Sequence, residues 1–475
     1  MKSIFKGNIL MKKIAVMFLE VCMIAVEMFS VSGCSPQEDV DEIILRVSNW
    51  EEYIDEGEWD EEEAIELDDG TVICPDKSLV EDFEEWFYDN YHKKVVVEYS
   101  TFGTNEELYN QLTLGDVYDV VCPSEYMIMK LVTEGELQPF SDSFFDESDE
   151  RNYYIRNVSP FIKERFDELE INGEALTGYA AGYMWGTLGI VYNPEYVTYE
   201  QASHWNILLN SDFYKQITIK DSVRDAYFAG AAIYNYDKIT DEDFINNEDY
   251  YENLSACINA TDKETVDAVE AILSEAQKNV YSFETDSGKA DLATGKVVAN
   301  QQWSGDAVYT MDQAEEDGVE LCYAAPLEAT NLWFDGWCML KKGLAEDSDK
   351  QLAAEAFINY MAYPENAIRN MYYIGYTSTV SGKTDGMIED YINYCYAAED
   401  DEEDTMEYDI SYFFGKETII VAPTEQVNRQ LAAQYPTEDV TDRSVVMAYF
   451  DKEGNERINR MWTNVRCFDL DAIFD

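Results

Sequence analysis

Short apolar runs alternate with amphipathic runs of helical length along most of this chain. A buried strand is predicted at EIILRVSNW (42–50), a helix at KSLVEDFEEWFYDNY (77–91) and a second strand at KKVVVEYS (93–100). The helical TNEELYNQLTLG (104–115) and the strand YDVVCPS (118–124) follow. This strand–helix–strand alternation predicts an α/β fold, and a length of 475 residues is enough for two domains or more.

The same alternation continues through the middle of the chain. Further strands are predicted at LGIVYN, at QITIKDS ahead of the helical VRDAYFAGAAIYNY, at KVVANQQWSGDAV and within YAAPLEATNLWFDGWCMLKKG. The run DKQLAAEAFINYMAYPENAIRNMYY predicts two helices separated near Pro364, because proline rarely continues a helix. We find no internal repeat.

Aromatic and acidic side chains collect where the predicted strands end. Open α/β sheets bind ligands at the carboxyl ends of their strands, so these side chains are candidate ligand contacts. In chain order the candidates are Trp50, Glu52, Tyr53, Ser124, Tyr126, Asp221, Asp225, Trp303, Trp333 and Asp335.

Rings and carboxylates together suit an alkylammonium ligand. An aromatic face attracts an ammonium and packs on methylene groups, and a carboxylate accepts a charge-assisted hydrogen bond from N⁺–H. A sugar site uses similar rings but favours mixed amide, arginine and acid partners. Each residue also has a structural explanation: the tryptophans as core, Asp221 and Asp225 as partners of a helix dipole, and Glu52 as solvated surface.

Charge and composition exclude several other classes. The chain has 97 acidic against 33 basic residues, a formal charge of −64, so its field repels nucleic acid and favours cations. Only His92 and His204 are present, far apart, and the nine cysteines form no CxxC pair. We therefore expect no catalytic or structural metal, no cofactor and no disulfide scaffold, with most cysteines buried as small apolar residues.

The amino terminus has the architecture of a signal peptide. Lys12 and Lys13 precede an apolar stretch that ends in Val31-Ser32-Gly33-Cys34, which resembles the bacterial lipobox, in which the cysteine is lipidated. Glu20 and Glu27 lie within the apolar stretch and argue against a transmembrane helix. An ordinary secretory signal, or a start at Met11, is the alternative.

Several ordered motifs resemble the bacterial spermidine/putrescine-binding proteins of ABC importers. They are NWEEY, YDVVCPSEYMI, YMWGTLGIVYN, KDSVRDAYF, QQWSGDAV, NLWFDGWCM and IGYTS, and the resemblance covers most of residues 43 to 380. It implies a periplasmic-binding-protein-like fold of type II, in which two α/β lobes close on the ligand about a hinge. The implied lobes are 43–186 with 334–378 and 187–333 with 379–475, after a signal peptide at 1–33 and a tether at 34–42.

The resemblance also assigns the candidate contacts to ligand binding. Trp50, Glu52 and Tyr53 match the family's first binding loop, Ser124 and Tyr126 its second, and Asp225 an acidic position in its third. Trp303, Trp333 with Asp335, and Tyr376 of the IGYTS turn match later positions. The register leaves open whether Asp221 or Ser222 faces the ligand, and no C-terminal glutamine ligand can be aligned.

The expected function is therefore transport-linked binding and not catalysis. A lipid-anchored, extracytoplasmic and monomeric protein would capture spermidine or putrescine and deliver it to the permease subunits of an ABC transporter. The alternatives are binding of another organic cation or an oligosaccharide, and an anchored glycoside hydrolase built on paired carboxylates.

Overall fold

A computed structural model describes residues 42–171, 173–285, 287–399 and 401–467. The predicted signal peptide, lipidation at Cys34 and nearly all of the tether lie outside these residues. The strands are β1 Ile43–Trp50, β2 Ile65–Glu66, β3 Val72–Ile73, β4 Val95–Phe102, β5 Val120–Val121, β6 Leu137–Gln138, β7 Glu170–Ile171, β8 Glu174–Ala175, β9 Ala180–Tyr192, β10 Ile217–Lys220, β11 Ser282–Glu284, β12 Ala299–Trp303, β13 Cys322–Ala324, β14 Thr330–Leu340, β15 Thr377–Ser378, β16 Thr405–Asp409, β17 Ile419–Pro423 and β18 Ser444–Val445.

The strands are interspersed with helices throughout the described chain. They are α1 Leu79–Tyr91, α2 Asn105–Leu114, α3 Glu125–Glu134, α4 Tyr153–Asn157, α5 Pro160–Glu168, α6 Tyr199–Ala202, α7 Val223–Tyr234, α8 Tyr236–Ile239, α9 Glu242–Ile245, α10 Tyr250–Ile258, α11 Lys263–Asn279, α12 Ser287–Ala293, α13 Ser304–Glu316, α14 Lys341–Leu344, α15 Ser348–Met361, α16 Pro364–Ile374, α17 Met387–Tyr396, α18 Ser411–Phe414, α19 Gln430–Gln434, α20 Glu438–Asp442 and α21 Lys452–Arg466.

One long mixed sheet organises the fold, in the order β11-β10-β12-β9-β14-β5-β1-β4. At one end β1 runs parallel to β4 and β5, and at the other β10 runs parallel to β11 and β12. The antiparallel pair β9 and β14 joins these two parallel groups. Every residue of β9 and of β14 is buried, as expected of strands covered on both faces.

Most of the predicted elements are confirmed, and local signals explain their limits. Helix α1 begins after Ser78, which forms a reciprocal capping box with Glu81. Pro364 occupies the first turn of α16, so the predicted break between two helices is correct. The segment KVVANQQWSGDAV divides at Trp303, where β12 ends and α13 begins.

The buried side chains form two large cores and a smaller third one. The first core surrounds β1, β5 and β14 and includes residues as late as Val446, and the second surrounds α7 and α11. The third lies between α13 and the end of β9. The two predicted lobes remain a proposal. A division that followed the cores would place much of 379–435 with the first lobe.

The acidic segment from Glu56 to Asp69, which follows the first candidate loop, is only partly a solvated surface. Its acidic side chains are mostly exposed, but Trp59, Ile65 and Leu67 are buried in the first core. The Trp59 indole donates to Asp55 Oδ1 at 2.9 Å and its ring lies 4.7 Å from that of Tyr372. Apolar side chains therefore fix this segment to the fold.

The cysteines agree with the expectation that most are small buried residues. Within the described ranges every one is a free thiol, and the buried ones are Cys122, Cys257, Cys322, Cys338 and Cys395.

Among the helices described here, none combines the length and the apolar character needed to cross a membrane.

Candidate ligand-binding site

Asp335 occupies an irregular point in the longest antiparallel pair of the sheet. The register between β9 and β14 shifts between Asp335 and Gly336, and a bulge of this kind redirects the side chain beside it. Ser124 forms an isolated bridge with Asp335, and its Oγ donates to Asp335 Oδ1 at 2.7 Å. The Tyr53 hydroxyl donates to the other carboxylate oxygen at 2.9 Å. Three predicted residues from three separate segments thus meet here.

The Asp335 carboxylate is buried without a cation. Asp335 is 6% exposed, and no lysine, arginine or histidine in the described ranges forms an ion pair with its carboxylate. Burial raises the pKa of Asp335 to about 6, although the hydrogen bonds from Ser124 and Tyr53 oppose that shift. A buried carboxylate with two hydroxyl partners and no counterion has capacity for an ammonium.

A row of three contacting aromatic rings begins at this carboxylate with Tyr53. The Tyr53 ring meets the Tyr376 ring edge to face at 5.2 Å between centroids, and Trp333 meets Tyr376 in the same way at 5.6 Å. The Tyr376 hydroxyl donates to Asp306 Oδ1 at 3.0 Å. Tyr376 therefore connects the Asp335 end of the site to a second group of charged residues.

That second group contains Lys220, Asp306, Trp303 and Asp225. Lys220 Nζ lies 2.9 Å from Asp306 Oδ2 and 4.5 Å from the centroid of the Trp303 ring. Burial raises the pKa of Asp225, whereas hydrogen bonds from Ser222 and the Trp303 indole, and then the charge of Lys220, lower it. Trp303 packs against both the first and the second core. We use the name aromatic–carboxylate cluster for the residues joined by these contacts, which are Asp335, Ser124, Tyr53, Tyr376, Trp333, Asp306, Lys220, Trp303 and Asp225.

Four predicted residues lie at the edge of the cluster or outside it. Trp50 is half-buried against Phe102 at 4.8 Å, and Glu52 is exposed with a positive φ of 52°. The Tyr126 hydroxyl accepts from Asn105 Nδ2 at 3.0 Å. The Asp221 carboxylate accepts from Arg466 at 2.7 Å.

Asp221 and Ser222 make different contacts in the structure. Ser222 Oγ accepts the backbone N–H of Asp225 at 3.3 Å and caps α7, whereas Asp221 is engaged with the C-terminal helix. Ser222 is thus the member of the pair that contacts the cluster. The ligand roles of all the predicted residues remain proposals.

Sequence reasoning missed three polar residues in or next to the cluster. Lys220 is the last residue of β10, Asp306 lies in the first turn of α13, and Asn105 donates to both Ser124 and Tyr126. Lys220 and Asp306 each stand next to a predicted contact, in KDS and WSGD, so proximity to a strand end was the available signal. Their mutual pairing had no signal in the sequence.

Gly305 allows the Tyr376 ring to close onto the start of α13. A β-carbon at this position would lie 2.3 to 2.6 Å from three atoms of that ring. We expect Gly305→Ala to displace Tyr376 and to weaken ligand binding about tenfold or more, because both the ring contact with Tyr53 and the bond to Asp306 would be disturbed. Titration of ligand into the variant, with Gly178→Ala at an open position of ordinary backbone conformation as control, tests this. Unchanged affinity would show that Tyr376 does not shape the site.

The fold and the cluster together define a class of protein. A site of rings and buried carboxylates lies among side chains from both cores, next to the two strands that join the parallel groups. This arrangement suits reversible capture of an organic cation.

The family follows from comparison with known proteins. Residues 78–393 match the model of the bacterial extracellular solute-binding protein family, and the chain belongs to that family. The family is one of solute-binding transport proteins and not of enzymes, and its members act outside the cytoplasm.

The alignments with two curated relatives cover most of the length of each relative. The spermidine/putrescine-binding periplasmic protein of Salmonella typhimurium is 24% identical over 285 residues, which are 59% of this chain and 70% of the relative. The putrescine-binding periplasmic protein SpuD of Pseudomonas aeruginosa is 25% identical over 349 residues, 71% of this chain and 77% of the relative.

Solved structures confirm the predicted fold. The substrate-binding protein PotD of a spermidine/putrescine ABC transporter from Streptococcus pneumoniae superposes with a TM-score of 0.57 and 22% identity, covering 89% of this chain and 98% of its own. A spermidine/putrescine ABC transporter protein from Listeria monocytogenes gives 0.58 and 21%, covering 90% and 99%. The periplasmic-binding-protein-like α/β fold is thus correct.

Proposed function

We propose that this protein captures a polyamine in the aromatic–carboxylate cluster and delivers it to the permease of an ABC importer. The observation that carries the proposal is the Asp335 carboxylate, buried among Tyr53, Trp333 and Tyr376 and lacking a cation among the described residues. A buried charge is stable only when it is paired, so the site is incomplete without a positively charged ligand. The named relatives are a spermidine/putrescine-binding protein and a putrescine-binding protein, which supports the same chemistry.

Asp225 is the second carboxylate that we assign to the ligand. It is buried on the second-core side of the cluster, and no described cation forms an ion pair with it, although the charge of Lys220 lowers its pKa from a greater distance. Two ammonium groups on one flexible chain can then bind at Asp335 and at Asp225, with the methylenes lying against Trp303 and Trp333. Glu52 and Trp50 would line the entrance.

The remaining parts of the proposal concern the whole molecule. The two groups of parallel strands would belong to lobes that close on the ligand, and β9 and β14 would form the connection about which they hinge. The protein would be monomeric and held outside the membrane by a lipid on Cys34. The closed, loaded form would dock on the permease subunits.

Calorimetric titration of the purified protein tests the function directly. Spermidine, putrescine and a neutral oligosaccharide are injected at two salt concentrations. We expect micromolar or tighter binding of a polyamine, weaker at high salt, and no heat from the oligosaccharide. Asp212→Asn, which removes an exposed carboxylate, is the matched control and should bind as the wild type does. Oligosaccharide binding without polyamine binding by a folded sample would overturn the proposal.

A further inference from the structure

Asp306 is the third buried carboxylate of the cluster, and the protein itself neutralises it. Lys220 Nζ lies 2.9 Å from one oxygen, Lys289 Nζ lies 3.4 Å from the other, and the Tyr376 hydroxyl donates to the latter at 3.0 Å. Burial acts to raise the pKa of Asp306, but the Lys220 and Lys289 ammonium groups outweigh it and hold that pKa at about 2. Asp306 is therefore ionised and already paired.

The Lys220 ammonium has the surroundings expected of a bound amine. Its side chain is 1% exposed. It donates to the carbonyl oxygen of Thr285 at 2.7 Å and to Asp306, and it lies 4.5 Å from the Trp303 ring centroid. A carbonyl, a carboxylate and an aromatic face are the partners that a ligand ammonium takes. The ammonium group of the Lys220 side chain thus occupies a position that a ligand ammonium could otherwise take.

The protein itself already pairs with the Asp306 carboxylate at this end of the cluster. A ligand ammonium approaching Asp306 would meet the Lys220 ammonium, which lies 2.9 Å from one carboxylate oxygen, in a site with little water to screen the repulsion. Of the three buried carboxylates in the cluster, Asp225 and Asp335 form no ion pair with a cation of the described residues.

We propose that Lys220 is a specificity-determining residue, which takes the place of one ligand ammonium and makes the site prefer a linear dication over a trication. This inference rests on the proposed function and deepens it. The ligand class it names is an α,ω-diamine, in which each end pairs with one free carboxylate and the chain carries no central charge. A triamine brings a secondary ammonium for which the described site offers no unpaired buried carboxylate.

Competing titrations of putrescine and spermidine measure this preference. We expect the wild type to bind putrescine about tenfold or more tightly than spermidine. Lys220→Met should shift the ratio of the two dissociation constants toward spermidine by about tenfold, since Asp306 would regain a vacant side beside Trp303. Lys289→Met, at a side chain 27% exposed, should shift the ratio in the same direction by less. Lys350→Met, which breaks the distant pair with Asp119, is the matched control and should leave the ratio unchanged.

The outcomes separate this inference from the proposed function. If neither amine binds the wild type, the proposed function fails. If both bind but spermidine is preferred, or if Lys220→Met binds both with an unchanged ratio, the function stands and the role of Lys220 is overturned. If Lys220→Met does not fold, the ratio in Lys289→Met decides, because that partly exposed lysine also pairs with Asp306.

Discussion

The Asp335→Asn variant is expected to lose polyamine affinity by about a hundredfold or more, while its ligand-free form becomes more stable than the wild type. Affinity falls because a buried ammonium left without its carboxylate costs about 2–5 kcal/mol, much of it the penalty of an unpaired charge. Stability rises because the same carboxylate has no cation in the ligand-free protein. An asparagine keeps the size of the side chain and its capacity to bond with Ser124 and Tyr53.

The size of the gain in stability follows from the pKa. Burial raises the pKa of Asp335 from an ordinary 3.8 to about 6, a difference that corresponds to about 3 kcal/mol. The folded protein binds this proton more tightly than the unfolded chain, so between about pH 4 and pH 6 the contribution of Asp335 to stability decreases as pH rises. Above about pH 6 the whole penalty is present. The variant should therefore exceed the wild type by about 1–3 kcal/mol at pH 8 and by little at pH 4.

Urea unfolding at these two pH values, together with calorimetric titration, measures both effects. Asp212→Asn is the control for a lost exposed carboxylate and should change neither quantity. Wild-type affinity in Asp335→Asn would remove Asp335 from the ligand site. Loss of affinity together with loss of stability would make its role structural, since the two effects should have opposite signs.

The affinity of the wild type should also depend on pH in the acid range. The ligand pairs with ionised Asp335, so protonation competes with binding, and the dissociation constant should rise toward tenfold per pH unit below about pH 6. Titrations at pH 5, 6, 7 and 8 test this. The profile of Asp335→Asn should be flatter over the same range. An equally steep profile in that variant would assign the titration to another group.

The residues at the strand ends were predictable because neighbouring strands end together. β1 lies between β4 and β5 and is parallel to both, so Tyr53 and Ser124, which follow β1 and β5, reach the same edge of the sheet. The helix limits were predictable for a similar reason. The capping box at Ser78 and the proline at position 364 act within a few residues of the chain.

The pairing of charges was not predictable in the same way. Lys220 pairs with Asp306, 86 residues away, and Arg466 with Asp221, 245 residues away. With 97 acidic residues for 33 basic ones, each cation has many formal partners, and only the folded chain selects among them. The sequence therefore predicted Asp221 as a ligand contact without its pairing to Arg466, and it did not indicate that Lys220 contacts the cluster.

Arg369 is the residue whose replacement should most destabilise the protein. Its side chain is 5% exposed, and its guanidinium donates to Asp55 Oδ2 at 2.8 Å, to Asp82 at 2.7 Å and to the carbonyl oxygen of Lys77 at 2.7 Å. Asp55 lies two residues after Tyr53 and also accepts from the Trp59 indole. Arg369 thus fixes the segment that follows the predicted first binding loop to α1 and α16.

We expect Arg369→Met to lower the free energy of unfolding by about 3–5 kcal/mol, because it leaves the fully buried Asp55 carboxylate without its cation. Burial already raises the pKa of Asp55, and Arg369 opposes that shift, so the variant should raise this pKa further. The loss of stability should consequently be smaller at pH 5 than at pH 8. Urea unfolding curves at the two pH values measure it.

Two further variants separate the buried charge from the loss of packing. Adding Asp55→Asn to Arg369→Met should recover a large part of the lost stability, since the double variant buries no unpaired charge. Arg46→Met removes a side chain that is 41% exposed and paired with Glu98, which is 56% exposed, so it should cost less than about 1 kcal/mol. If Arg369→Met cost no more than Arg46→Met, Asp55 would not depend on this arginine. Some other contact would then hold the first binding loop in place.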